Sequence, residues 1–431
     1  MRKPVFMAVG AATALALLLA GCGSDDPADP TAVASSAPTF GEASVPGSAA
    51  TGTPIRIGTL GSYTGPQAAS LGAMDDTMQA WVKWTNAHGG VNGHPVELTL
   101  YDDATDPAKA KAFARRLVAD KVVAFVGTGS LVYSAFGQIV KDAGIPVIGS
   151  ADPQTEFSTN PMFFAGGSQI PALVYGALTE AKKAGVTKVG LLPCVEAEAC
   201  EQFAGLFAAI GAVVGLDATY AQKISVSQPN YQAACLAAKN AKVDGLVVLQ
   251  NAATVLKVAT GCAQQGYTPK QINTSCTTGS VWEGESDMEG TVSTHSAAVP
   301  VATQIAKIND FTAALDQYAP GVRNGPQYNV CDSEVWAGAE VFKAAWEKGN
   351  LGADGTSAQL IDALYTFKGE TLGGLTPPLT YAPTKGAAPA FTTCWFTQTI
   401  TGGKFTAANN GQSECIPDAD VAKLVAAITP K

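Results

Sequence analysis

Residues 122–152 read VVAFVGTGSLVYSAFGQIVKDAGIPVIGSAD. The stretch opens on a β-branched run, turns at Gly127-Thr128-Gly129-Ser130, continues as a helix over AFGQIVKDAG and closes on a second strand, IPVIGSAD. Strand, helix and strand at this spacing predict a parallel pair joined by a right-handed crossover. A glycine-rich turn between strand and helix bares backbone N–H groups, a place where proteins seat negative charge. Nucleotide chemistry does not fit. A dinucleotide fingerprint needs glycine where Val132 stands, and a phosphate loop cannot end in Gly-Lys-Ser/Thr with Leu131 after the serine. The Gly-x-Ser-x-Gly frame of an esterase elbow is also missing. What remains is a turn that holds a carboxylate or neutral carbonyl, with Ser130 adding a hydroxyl, or glycines that serve the turn alone.

The same alternation runs outward in both directions. IRIGTL (55–60) is a strand ending in Gly-Ser-Tyr-Thr-Gly-Pro, and 72–90 is a helix with Met74, Met78, Trp81 and Val82 on one face. VELTLYDD (96–103) is a strand, and Asp106-Pro107 opens a helix as cap and first turn. Parallel sheets bind ligands beyond the carboxyl ends of their strands. Those ends carry Ser62 and Tyr63, then Gly129 with Ser130 and Leu131, then Ser150, Ala151 and Asp152. Asp102, Asp103 and Asp106 read as caps at a strand end and helix start, not as a metal cluster. A second α/β unit follows, with strands at 189–193, 245–251 (ending in Asn251) and 271–275. The segment 289–300 is a strand leaving that unit, helices follow at 303–318, 332–348 and 356–367, and the tail forms strands about Gly402-Gly403. Trp81 and Trp84 read as packing residues. Trp282, after a Thr-Thr-Gly-Ser loop, is the aromatic candidate for the cleft edge.

Composition removes whole classes of function. With 431 residues, 47% of them hydrophobic, the chain can build two or three cored domains. A net charge of −9 without a basic stripe excludes a nucleic-acid partner. Three scattered histidines (His88, His94 and His295) offer no metal-ligand spacing, so neither metal nor cofactor is expected, and with no nucleophile elbow the chain is not read as an enzyme. Arg2 and Lys3 precede an apolar run of signal-peptide length, too short to span a bilayer. Leu19-Ala20-Gly21-Cys22 resembles a bacterial lipobox, which implies cleavage after residue 21 and a lipid on Cys22. Residues 22–53 are small, polar and proline-rich, and read as a flexible tether from that anchor. Eight further cysteines in an oxidising compartment suggest bridges. Cys194–Cys200 and Cys394–Cys415 are the expected pairs, Cys235–Cys262 is a plausible third, and Cys276 with Cys331 are then left over.

Three stretches carry a family resemblance: IRIGTLGSYTGPQAASLG, NAHGGVNGHPVELTLYDDATDPAKA and the segment at 122–152. They resemble the amino-terminal lobe of type I periplasmic solute-binding proteins of ABC importers, the Leu/Ile/Val-binding subgroup above all. The resemblance implies an α/β, Venus-flytrap fold of two Rossmann-like lobes joined by three crossing segments, near 165–170, 295–301 and 370–376. Lobe 1 would comprise 54–167 and 301–370, and lobe 2 168–300 and 371–431. It implies a monomer, lipid-anchored outside the cell membrane, that delivers a small polar solute (an amino acid, an amide or urea-like molecule, or a small carboxylate) to a membrane permease. A sensor of the same fold, presenting its ligand to a signalling partner, is the alternative. Carried over from relatives, the carboxylate site falls on Ser130, Leu131, Ser150, Ala151 and Asp152, with Ser62 and Tyr63 in the first loop. The second-lobe acid that pairs with an α-ammonium falls near Thr277 and Thr278, neither acidic, and the second-lobe aromatic falls near Glu198. Both departures speak against a standard L-amino acid.

Overall fold

The structure is a computed structural model that describes residues 39–40, 49–151, 154–381 and 392–428. The leader, Cys22, Asp152 and most of the tether lie outside the described residues. Among these, six strands make the first sheet: β1 (Thr39–Phe40), β2 (Ile55–Gly61), β3 (Val96–Asp102), β4 (Phe125–Thr128), β5 (Val147–Ser150) and β6 (Phe163–Phe164). Their order is β1-β3-β2-β4-β5-β6. All pairings are parallel except that of β1, which runs antiparallel beside β3. Part of the tether read as free is therefore a paired sheet edge.

Helices α1 (Ala68–Leu71), α2 (Met74–Ala87), α3 (Pro107–Ala119), α4 (Gly137–Ala143) and α5 (Glu156–Thr159) alternate with these strands. Asp106 caps α3 as expected, its carboxylate accepting from Ala108 N at 2.7 Å and Lys109 N at 3.3 Å. The face of α2 bearing Met74, Met78, Trp81 and Val82 is buried. Trp81 is in the core, its Nε1 donating to Glu340 Oε1 at 2.9 Å.

The second sheet contains β7 (Lys188–Pro193), β8 (Asp217–Ala221), β9 (Gly245–Leu249), β10 (Lys270–Thr274) and β11 (Val292–His295). It is interleaved with α6 (Ile170–Lys183), α7 (Glu198–Val214), α8 (Gln232–Asn240) and α9 (Ala252–Ala263). The chain then returns to the first lobe as α10 (Ala306–Tyr318), α11 (Val330–Lys348) and α12 (Ser357–Leu364). Phe311, Trp336 and Phe342 from these helices share one core with Ile57, Met78 and Trp81. The pair β12 (Lys368–Glu370) and β13 (Leu379–Thr380) closes this lobe. Finally β14 (Cys394–Thr401) and β15 (Lys404–Ala407) complete the second sheet, in the order β15-β14-β11-β10-β9-β7-β8.

One crossing needs correction. Leu375, Leu379 and Tyr381 sit in the first-lobe core, Ala298 N donates to Leu375 O at 2.9 Å, and Tyr381 Oη donates to Ala165 O at 2.7 Å. The chain is therefore still in the first lobe at Tyr381, so the third passage does not fall near 370–376. Near the other two expected crossings, Ser168 N–H donates to Ser296 O at 3.0 Å and its hydroxyl donates to Cys394 O. Thr392 N adds a bond of 2.6 Å to Gln169 Oε1.

His295, where β11 ends, is fully buried, its Nε2 3.0 Å from Ser293 Oγ. Burial pushes its pKa down to about 3. The unfolded chain takes up this proton below about pH 6.5 while the folded chain stays neutral, so stability falls as pH falls through that window. At pH 5 the cost is about 2 kcal/mol. Urea melts at pH 5 and pH 7 should show that His295→Gln removes this part of the pH dependence.

Candidate ligand-binding cleft

The Gly-Thr-Gly-Ser turn is held from beneath by a buried carboxylate. Asp103, directly after β3, accepts from Ser62 Oγ at 2.6 Å, Thr105 N at 2.8 Å and Ser130 Oγ at 2.7 Å. Burial raises its pKa, although those donors oppose the shift. Ser62 Oγ in turn accepts from Leu131 N, and Ser130 Oγ from Val132 N, each at 3.2 Å. Asp103 thus joins three strand ends into one unit, a larger role than the cap the sequence suggested. Its neighbour Asp102 caps no helix but ties two loops together, accepting from Tyr63 N at 3.0 Å and Ala104 N at 2.9 Å.

The hydroxyls expected to face a ligand are therefore turned inward. Ser150 Oγ lies 2.6 Å from Tyr133 Oη and donates to Ala151 O at 2.7 Å, while Ala151 N donates to Thr128 O at 3.0 Å. Tyr63 is buried against Gly61, its hydroxyl 3.4 Å from Thr59 Oγ1. Gly127 explains the glycine of the turn: its φ is +57°, and a Cβ there would sit 2.2 Å from Met78 Sδ. Gly129 is pinned through its N–H to Leu60 O at 3.1 Å. The turn is glycine-rich so that α2 and α11 can approach it closely.

The cleft proper opens above this platform. Gln67, Ser70, Leu71 and Leu131 wall it from the first lobe. The Cys194–Cys200 loop with Ala197 and Ala199, then Phe203, Leu249, Gln250 and residues 274–277 wall it from the second. The cavity is small, about 70 Å³, and no charged side chain lines it among the described residues. Of the residues expected from sequence, Leu131 and Thr277 reach it. Thr277 Oγ1 is committed to Thr274 O at 2.6 Å. Gln250 Nε2 donates to Glu196 Oε2 at 3.0 Å. Partial burial pushes the Glu196 carboxyl up, but donors from Ser225, Val226 and Gln250 outweigh it and hold the pKa below its ordinary value.

Three expected residues sit elsewhere. Trp282 is fully buried in the second lobe, its Nε1 donating to Ala252 O at 2.8 Å and its ring packing on Phe405. Its large apolar surface is used by that core, so it does not border the cleft. Asn251 caps α9, its side chain accepting from Thr254 N at 3.0 Å. Glu198 lies exposed on the rim, where Ser134 Oγ of the first lobe donates to it at 3.1 Å. Glu198→Ala should speed cleft opening while changing the melting temperature little, since exposed contacts contribute roughly 1 kcal/mol or less. Stopped-flow ligand release and a thermal melt would separate the two effects.

Four disulfides occur among the described residues: Cys194–Cys200, Cys235–Cys262, Cys276–Cys331 and Cys394–Cys415. The pair left over by elimination, Cys276–Cys331, joins the turn after β10 in the second lobe to α11 in the first.

Residues 54–404 match the family model described as periplasmic binding protein. The chain belongs to that family. Among relatives of this periplasmic binding protein, an amino acid binding protein from Pseudomonas aeruginosa is 38% identical over 122 residues, 25% of this chain and 30% of that protein. The Leu/Ile/Val-binding protein of Escherichia coli is 31% identical over 118 residues, 27% of this chain and 30% of its own length. The matched stretch is thus under a third of each relative. A fatty acid ABC transporter substrate-binding protein from Thermomonospora curvata, 17% identical, shares the fold with a TM-score of 0.70 over 87% of this chain and 95% of that one.

Proposed function

We propose that this periplasmic binding protein is an extracytoplasmic receptor, held at the membrane by a lipid on Cys22, that captures a small organic solute in the interlobe cleft and hands it to an ABC importer. The observation that carries the reading is the cleft itself, walled by both lobes with apolar side chains and neutral polar groups. Its relatives include an amino acid binding protein and its fold neighbours a fatty acid receptor, so ligand class must be argued from the wall. Among the described residues of the wall an α-ammonium would find no acid, and burying an unpaired charge is costly. The wall favours a solute with an apolar body and a single polar head, an amide or a monocarboxylate, over a zwitterionic amino acid.

Thermal shift on the disulfide-intact chain tests this with L-leucine, 4-methylpentanamide and benzoate. A ligand at a hundred times its Kd adds about 2.7 kcal/mol of stability. Stabilisation by the amide or benzoate and not by leucine is the expected result. Leucine acting alone would overturn the ligand class, and no stabilisation by any of the three would overturn the receptor reading. Leu131→Asp places a carboxylate on the wall and should weaken binding about a hundredfold, close to 3 kcal/mol.

A further inference from the structure

The lobes are held together differently on the two sides of the cleft. On one side the Cys276–Cys331 bridge crosses between them, with its Cα atoms 5.2 Å apart. One turn along α11 from Cys331, buried Glu334 accepts from Ser275 Oγ at 3.2 Å and from Ser296 N at 3.0 Å. On the other side, at the start of α7, two exposed hydrogen bonds span the gap. Ser134 Oγ donates to Glu198 Oε2 at 3.1 Å, and Thr155 N donates to Gln202 Oε1 at 3.0 Å.

We propose that the Cys276–Cys331 bridge is a covalent stop on cleft opening, so that the lobes part on the α7 side and the solute passes there. A disulfide tolerates Cα separations up to about 6.8 Å, so the bridged points can move apart very little. The two α7-side hydrogen bonds are exposed to water and contribute about 1 kcal/mol each at most, within reach of thermal opening. Crossing segments alone would let two rigid lobes both bend and twist about their hinge. A second fixed point changes the mechanics, because a rigid body held at two places rotates only about the line joining them. Opening then becomes a single motion about an axis through the crossings near Ser168 and the bridge. The α7 rim, with Ala197 and Ala199 of the Cys194–Cys200 loop, becomes the mouth.

The inference rests on the receptor reading for what passes the mouth, but its test requires no ligand. Nitroxide labels on encoded non-cysteine residues leave every bridge intact. One pair, Gln138 and Glu201, reports on the α7 rim; the other, Ser280 and Asn324, spans the cavity beside the bridge. In the oxidised full chain, pulsed electron resonance should give a broad distribution shifted to long distances for the first pair and a narrow one for the second. In the Cys276→Ser/Cys331→Ser variant the second pair should broaden and lengthen as well. A second pair as broad as the first in the wild-type chain overturns the proposal, as do two narrow pairs, or a folded variant whose second pair is unchanged. If the variant does not fold, the wild-type comparison decides by itself. Failure of the receptor reading shows separately, as absence of stabilisation by any solute with these distances unaltered.

Discussion

Gly149→Val should lower stability by about 2–6 kcal/mol, seen as a large fall in the urea midpoint and in the yield of soluble protein. Gly149 has φ +72°, a conformation β-branched residues adopt only with strain, and a Cβ there would sit 2.1 Å from Gly338 Cα. Gly338 lies on α11, and a Cβ built on it would in turn sit 2.6 Å from Gly149 Cα. The obstacle is backbone in both directions, so no side chain can swing aside. Strain of about 1–3 kcal/mol and overpacking of similar size would remove much of the ~5–15 kcal/mol that stabilises a domain. Gly338→Ala, which asks for less room and keeps an ordinary helical φ, should fold with a melt lowered by about 3 kcal/mol. A wild-type urea midpoint in either variant would mean that α11 does not rest on β5 as described.

Asp103→Ala is expected to cost about 2–6 kcal/mol, because it strands the buried Ser62 and Ser130 hydroxyls at about 1–3 kcal/mol each and also frees the half-buried Thr105 N–H. Asp103→Asn keeps the shape and one acceptor oxygen, so its loss should be smaller. Both should weaken solute binding, since Leu131 is positioned through Ser62. Urea melts and thermal shift on the same samples check the pair. Equal stability of Asp103→Ala and wild type would show that the serine hydroxyls find other partners.

Periodicity and punctuation made the architecture legible. The apolar stripe of α2, the Asp106-Pro107 start of α3 and the Gly402-Gly403 turn between β14 and β15 all lie where their residues predict. These signals are local, and local rules suffice for them. The third crossing was misread because Leu375 and Leu379 resemble any short apolar run; only their packing against the first lobe assigns them. The site was less legible for a related reason. Ser62 and Ser130 have the chemistry to bind a carboxylate, but whether a hydroxyl faces a ligand or Asp103 depends on residues about 40 and 27 positions apart meeting in register. Phe203 had a findable signal, the Ala199-Phe203-Phe207 spacing on one face of α7, which also leads one end of that face to the cleft. Gln67 and Ser70 follow β2 in a short turn with no periodicity to mark them.

The path of the backbone has a consequence for how the molecule is made. Neither lobe is a continuous stretch: the first waits for α10 and α11, synthesised after the whole β7–β11 region, and the second waits for β14, which pairs antiparallel with β11. Until Cys394–Thr401 has been synthesised, the β11 edge that β14 will cover carries unpaired N–H and C=O groups. Contacts over such sequence separations form late, and exposed edges in the interval invite aggregation. A chain truncated before β14 should therefore complete the first lobe but leave β11 unpaired and the second lobe unfinished.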